Sequence, residues 1–401
     1  MIVDGSDERN LTGSLAGLRV LDFSTTIAGP HCTRMLADMG AEVIKIETAE
    51  GETMRTRPPV RNHCSTVFGQ LNVGKHSLVL DLKSHQGVEA VRRLVATADV
   101  LVENFRPGVM QRLKLDYASL SSVNPKLIYC SISGYGQTGP SAELPAYAPV
   151  IHAASGYEMA HLAYQPGRTR PDYCGIYHAD VLTGVYAFGA ISAALYQRAA
   201  TQKGQHIDVS MLESMLSLTL NELQWSQFEV KATQRPMFGP IETSDGYVMV
   251  AVASEKTFQS LMKVIDRPQW VSDPRFAVYA DRRENWSSLM EGAEAWSRTV
   301  TTEKCLAALS DHGVPSSAYR TVSEALKDPQ VAHRGALAEV EDGGGSFKVL
   351  NLPFRMSGAS VSAAKRMSTL GEHTRVYLKE IGLSEEEIAA FAAKPPVAAR
   401  G

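Results

Sequence analysis

The sequence predicts an α/β protein built on a parallel, doubly wound sheet, followed by a smaller α+β domain. Three observations carry this. In the first 135 residues short apolar runs alternate with helical segments, the pattern of a parallel sheet with crossover helices. One of these runs, GLRVLDFS (17–24), has the pattern of a buried strand. Near RPMFGP (235–240) the composition shifts, and the stretch up to 320 carries one clear strand and several helices.

Each element can be justified in turn. GLRVLDFS (17–24) reads as a buried strand. PHCTRMLADMG (30–40) reads as a helix, with Pro30 at its start and Gly40 at its stop. AEVIKIE (41–47) and SLVLDL (77–82) are strands, and a helix spans 84–97. DVLVENF (99–105) and KLIYCSIS (126–133) are further strands. From 180 to about 229 the chain reads as helical, broken by the polar turn ATQKGQH (200–206). YVMVAV (247–252) is a strand, strand patterns return around 336–352, and EHTRVYLKEIG and EEEIAAFAA read as closing helices.

The bulk numbers exclude several classes. The chain has 401 residues, 44% hydrophobic and 21% charged, with net charge −3. That describes a globular protein with a large core and no electrostatic footprint for nucleic acid or a membrane surface. Five widely spaced cysteines without C-x-x-C support neither a disulfide framework nor a zinc ribbon. The polar start MIVDGSDERN is not a signal peptide, and no apolar run reaches the ~18 residues of a membrane span. The expected location is the cytoplasm.

Several candidate sites weigh little. GYGQTG (134–139) matches G-x-G-x-x-G after a strand, but Pro140 and AELPAYAP follow it, where a dinucleotide fold needs a helix. His152, His161 and His178 lack metal-ligand spacing, and neither H-E-x-x-H nor G-x-S-x-G occurs. Lys75, Lys83, Arg106 and Arg112 lie at or beyond strand ends, where together they could hold phosphates. Asp180, in IYHADVLTG (176–184), stands just before a long apolar, small-residue stretch. It fits a helix N-cap, and it equally fits a carboxylate nucleophile presented at a helix end. Pattern alone accommodates both.

The ordered set of motifs resembles the class III CoA-transferases, the formyl-CoA transferase and carnitine dehydratase (CaiB–BaiF) type. It comprises LRVLDFSTTIAGPHCTRMLADMGAEVIKIE, SLVLDLKSHQG, ADVLVENFRPGVMQRL, NPKLIYCSISGYGQTGP, ADVLTG, GQHIDVSMLESM and GEHT. The resemblance implies a Rossmann-like large domain in an interlocked homodimer. The domains would be 1–205, a helical linker 206–235, a small domain 236–320, and a tail 321–401 rejoining the large domain. It implies CoA transfer from an acyl-CoA to a free carboxylic acid, with coenzyme A and acyl-CoA as substrates and no tightly bound cofactor or metal. Asp180 would be the nucleophile. CoA contacts are implied at Ile27, Ala28, Thr48, Leu80 to Lys83, Asn104, Phe105, Arg106, Arg112 and Tyr147. Ile27, Thr48 and Pro145 replace the glutamine, arginine and lysine of formyl-CoA transferase, and its tetraglycine loop is missing near 239–246.

Two other readings go with the resemblance. The sister α-methylacyl-CoA racemases pair a histidine with the aspartate, but that histidine aligns with Tyr147, a poor base at neutral pH. A catalytically idle acyl-CoA-binding protein would not need Asp180. Finally, GRTRPDYCG (167–175) puts Arg168 and Arg170 shortly before Asp180. An arginine there would grip a second carboxylate, which points to small dicarboxylic acids, with His152 as a further candidate contact.

Overall fold

The computed structural model describes residues 12–165, 167–228 and 238–392. The chain divides into two compact units, Met1–Leu223 with His333–Gly401, and Gln224–Ala332.

The first unit is built on six strands among the described residues. They are β1 (Arg19–Asp22), β2 (Glu42–Glu47), β3 (His76–Val79), β4 (Val100–Glu103), β5 (Ile128–Ser133) and β6 (Gln205–Ser210). Their order is β3-β2-β1-β4-β5-β6 and every neighbouring pair is parallel. This is the Rossmann order, with its topological switch between β1 and β4. Successive residues on one strand enter opposite cores. Leu21, Ile44 and Leu101 pack on one face, and Val20, Val43 and Val100 on the other. That is why the strands read as mostly apolar runs rather than as alternations.

The helices that matter here are α1 (Ala28–Asp38), α2 (Thr66–Asn72), α3 (His85–Val95), α4 (Ala148–Ala154), α5 (Tyr157–Ala163) and α6 (His178–Thr201). α6 packs against α1 so closely that a Cβ on Gly184 would lie 2.7 Å from the Ala28 carbonyl oxygen. Only glycine permits that approach.

Three sequence expectations need correction. GQHIDVS is strand β6 rather than turn and helix, so residues 206–223 are part of the first unit and not a linker. It is an edge strand whose alternating burial hides it from a search for apolar runs. Residues 321–332 group with the second unit instead of the tail. Helix α6 is, by length and composition, long and apolar enough to cross a membrane, although one third of its most apolar window is buried in the protein. Small residues dilute its apolar character, but no charge interrupts it between Asp180 and Arg198.

GYGQTG forms a loop, as Pro140 suggested. Gly136 and Gly139 have φ of 88° and 100°, and the Gln137 N–H donates to Asp208 at 2.9 Å. The tail closes the open edge of the sheet at β3. In GEHT, the Gly371 and His373 N–H groups donate to the Ser77 hydroxyl and carbonyl, and Thr374 accepts from the Val79 N–H at 3.0 Å. These contacts blunt an edge that would otherwise pair with other chains. A hairpin of Leu337–Asp342 and Gly345–Leu350 sets the Phe347 ring against Gly69 of α2.

The second unit has a three-stranded antiparallel sheet of Phe238–Glu242, Tyr247–Ala251 and Ser316–Ala318. Val248, Val250, Phe258, Leu261 and Leu289 form its core.

Candidate active site

Because the six strands are parallel, the segments leaving β1, β2, β3 and β4 emerge on one edge of the sheet. These segments hold most of the CoA contacts that the sequence implied. At the switch point the turn from β1 into α1 is held from below by buried charges. Asp22 is paired with Lys75 at 2.9 Å, Lys45 with Glu52 at 2.7 Å, and Glu47 with Arg55 at 2.7 Å. Burial opposes charge on Asp22, but Lys75 and Lys45 overcome it and hold its carboxyl below the usual range. Lys45 also donates to the Ser24 carbonyl at 2.8 Å. Glu52 accepts the Thr26 N–H at 2.5 Å, and Thr26 sits at φ 70°. A threonine held in that region costs energy, and the contact to Glu52 is what fixes it. Lys75, expected among surface phosphate partners, is instead fully buried beneath this turn.

The implied CoA residues fall into three groups. Ile27, Ala28 and Asn104 converge at the switch. Ile27 precedes α1 as its uncapped N-cap, Ala28 opens the helix, and both are buried. The Asn104 amide is used on both ends by Thr25, accepting from its N–H and donating to its carbonyl at 2.8 Å each. Thr48, Lys83, Arg106, Arg112 and Tyr147 are exposed. Thr48, Lys83 and Arg106 follow β2, β3 and β4, Arg112 ends the short helix Val109–Arg112, and Tyr147 is the N-cap of α4. Arg106 rims a cavity of about 210 Å³ lined by Glu103, Tyr117, Ser131, Gln137 and His206. Burial pushes the Glu103 carboxyl up to about 7 against hydrogen bonds from Ser131 and the Phe105 N–H. Leu80 is buried in the core and Phe105 is half-buried against it.

Asp180 is not the helix cap. Helix α6 starts two residues earlier, at His178, with Tyr177 as its N-cap. Asp180 is therefore the third residue of the first turn, and it lies one turn before Gly184, the residue that meets Ala28 of α1. Its carboxylate accepts no hydrogen bond among the described residues. Burial pushes it up to about 6, with Arg57 pulling the other way.

His152 is buried on α4, and its Nε2 accepts the Ala179 N–H at 3.1 Å. Arg168 and Arg170 are exposed, and Arg168 pairs with Asp172.

Sequence reasoning missed Arg57. It is exposed, donates to the Tyr177 hydroxyl, and is the cation that acts on Asp180. Its position depends on a contact 120 residues away, which no local pattern encodes. Lys45 and Glu52 were missed too. A lysine inside the buried strand EVIKIE was the available signal.

The family model described as CoA-transferase family III matches residues 15–374. The chain belongs to CoA-transferase family III. It is 33% identical over 393 residues to a succinate–glutarate CoA-transferase of Agrobacterium fabrum, covering 94% of this chain and 98% of that one. It is 37% identical over 355 residues to an acetyl-CoA:oxalate CoA-transferase of Acetobacter aceti, covering 86% and 90%. Among solved structures, a CaiB/BaiF family protein of Brucella suis matches with a TM-score of 0.81 and 33% identity, over 93% of this chain and 100% of that one. This family III chain is a CoA-transferase of mixed α/β fold.

The Asp180 environment makes a stability prediction. Its folded pKa lies above the unfolded value, so the folded chain holds the proton more tightly between about pH 4 and pH 6. The stability contributed by that proton is present below pH 4 and is lost as pH rises through 6. Asp180→Asn should therefore raise stability at pH 8 by about 1–2 kcal/mol, allowing for partial exposure, and the gain should shrink at pH 5. Thermal unfolding of both proteins at the two pH values checks this. A variant less stable than the parent at pH 8 would contradict it.

Proposed function

We propose that this CoA-transferase moves CoA from an acyl-CoA to a small dicarboxylic acid through covalent intermediates on Asp180. The observation that carries the reading is the Asp180 carboxylate itself, free of hydrogen bonds among the described residues, lifted by burial, and set one turn before the close contact of α6 with α1. An oxygen of Asp180 attacks the thioester carbonyl carbon, the C–S bond breaks, and CoA leaves as thiolate. The product is a mixed anhydride. The thiolate then attacks the Asp180 Cγ, which expels the donor acid as a carboxylate and leaves an aspartyl-CoA thioester. The acceptor carboxylate attacks the same Cγ, and the two steps run in reverse. Each step exchanges one activated acyl carbon for another, so covalent catalysis divides the barrier and no ATP is required.

The amino end of α1 supports charge development here. Ile27, Ala28 and Gly29 have N–H groups without partners among the described residues, and Pro30 has none to offer. A raised carboxylate pKa also makes Asp180 a better nucleophile than an ordinary surface aspartate. The exposed cations Lys83, Arg106 and Arg112 on the same sheet edge suit the CoA phosphates. His152 is less available as a racemase-type base, because its Nε2 is committed to the backbone of α6.

The dicarboxylate assignment rests on Arg57 and on the relatives whose names include succinate, glutarate and oxalate. A guanidinium close enough to act on Asp180 can grip the unreacting carboxylate of a diacid in a bidentate pair. In this reading Arg57 takes the role expected of Arg168 and Arg170.

We also propose a homodimer. Helix α6 exposes Val181, Val185, Tyr186 and Tyr196, and Leu220 and Leu223 are exposed nearby in sequence. Apolar surface of this extent on a soluble chain marks an interaction face.

Three measurements follow. With acyl-CoA and hydroxylamine, mass spectrometry should find a hydroxamate on Asp180, and Asp180→Ala should lose transfer. Turnover that survives in the alanine variant would rule out the covalent route. Arg57→Ala should lower kcat/KM for succinate or glutarate by about 2–3 kcal/mol, some thirty- to two-hundredfold, while sparing monocarboxylates of equal length. A loss confined instead to Arg168→Ala or Arg170→Ala would return the role to those residues. Light scattering should give twice the chain mass under native conditions, and a monomer would refute the dimer.

A further inference from the structure

We propose that His152 is a positioning residue for Asp180, capping helix α6 from outside so that the aspartate carboxylate stays free for chemistry. This rests on Asp180 being the nucleophile.

The first turn of a helix has N–H groups with no partner in the helix. In α6 the His178 N–H reaches the Ile176 carbonyl at 3.0 Å, and the Val181 N–H reaches the Tyr177 carbonyl at 3.0 Å. The Ala179 N–H, between them, is too deep in the protein to reach water, since Ala179 is buried. Tyr177 offers no side-chain cap. An acidic residue in the first turn ordinarily folds back onto such a donor, and Asp180 is the only acidic residue of that turn. Asp180 does not fold back, and the buried Ala179 N–H beside it is met instead by His152 Nε2 at 3.1 Å.

The arrangement also fixes the state of His152. An Nε2 that accepts has no proton, so the ring is neutral with its proton on Nδ1. The Nδ1 faces Glu158 Oε1 at 3.7 Å, too long for a hydrogen bond, and it has no other partner. Protonation at Nε2 would set two N–H groups against each other. Burial, reinforced by His178 and opposed by Glu158, keeps the ring on the neutral side. The His178 and Tyr157 rings, at 5.6 and 6.0 Å, hold it in place. A group that supplies only an acceptor lone pair here can be replaced by another acceptor of similar reach.

Glutamine and methionine have similar shape and volume, but only glutamine carries a strong acceptor near its tip. The test therefore compares His152→Gln with His152→Met. The readouts are the rate of Asp180 hydroxamate formation with succinyl-CoA and hydroxylamine, the affinity for succinyl-CoA, and the melting temperature. The glutamine variant should trap within about threefold of the parent. The methionine variant should trap about ten- to a hundredfold more slowly, as a misplaced nucleophile does, with succinyl-CoA affinity changed less than twofold. Equal trapping rates in all three proteins would overturn the positioning role while leaving the nucleophile intact. So would equal slowing in both variants, or a methionine variant that fails to fold, since either makes His152 merely structural. If the parent forms no hydroxamate on Asp180, both the nucleophile assignment and this inference fall.

Discussion

The crevice rests on charges withdrawn from water. Asp22, Lys45, Glu47, Glu52 and Lys75 are all buried at or near the carboxyl ends of the first two strands, and their pairs lie at 2.7 to 2.9 Å. Buried ion pairs add little net stability, because desolvation offsets attraction. Their effect is geometric. Lys45 and Glu52 between them hold the Ser24 carbonyl and the Thr26 N–H, so the turn enters α1 in one conformation and no other. Removing one member would leave its partner as a bare charge in the core, a loss of about 3–5 kcal/mol. The rest of the site inherits its rigidity from that turn.

On this base two close approaches assemble the site. Gly184, one turn after Asp180, lets α6 settle against Ala28 of α1. Asn104 stitches the segment after β4 to Thr25, which closes the two sides of the switch at 2.8 Å. Helix, turn and loop thus meet through one missing side chain and one doubly used amide. Arg57 arrives from a different segment and completes the electrostatic environment.

Much of the frame was legible. β1, β2, β4 and β5 are mostly apolar runs because both faces are covered, and α1 is announced by Pro30 and Gly40. Asp180 could be singled out, and its two readings stayed open because capping depends on where the helix starts, which is a matter of two residues. The structure removes the cap reading, because α6 begins at His178 with Tyr177 as its N-cap. β6 was hidden because an edge strand alternates. Lys75 read as a surface cation because sequence does not show which lysine lies under a turn. The missed side chains, Lys75 and Arg57, take their meaning from distant partners, whereas the strands that were legible take theirs from their own runs.

The edge of the sheet at β3 has a temporal side. Its N–H and carbonyl groups are satisfied by His373 and Thr374, and the His76 ring stacks on His373 at 4.2 Å. A chain that emerges from the ribosome amino end first holds β3 open until residues 371–374 exist. Gln224–Ala332 is contiguous and is complete well before then. The inserted unit is therefore synthesised while the unit that surrounds it in sequence still waits for its closing strap, and β3 is an unpaired edge during that wait.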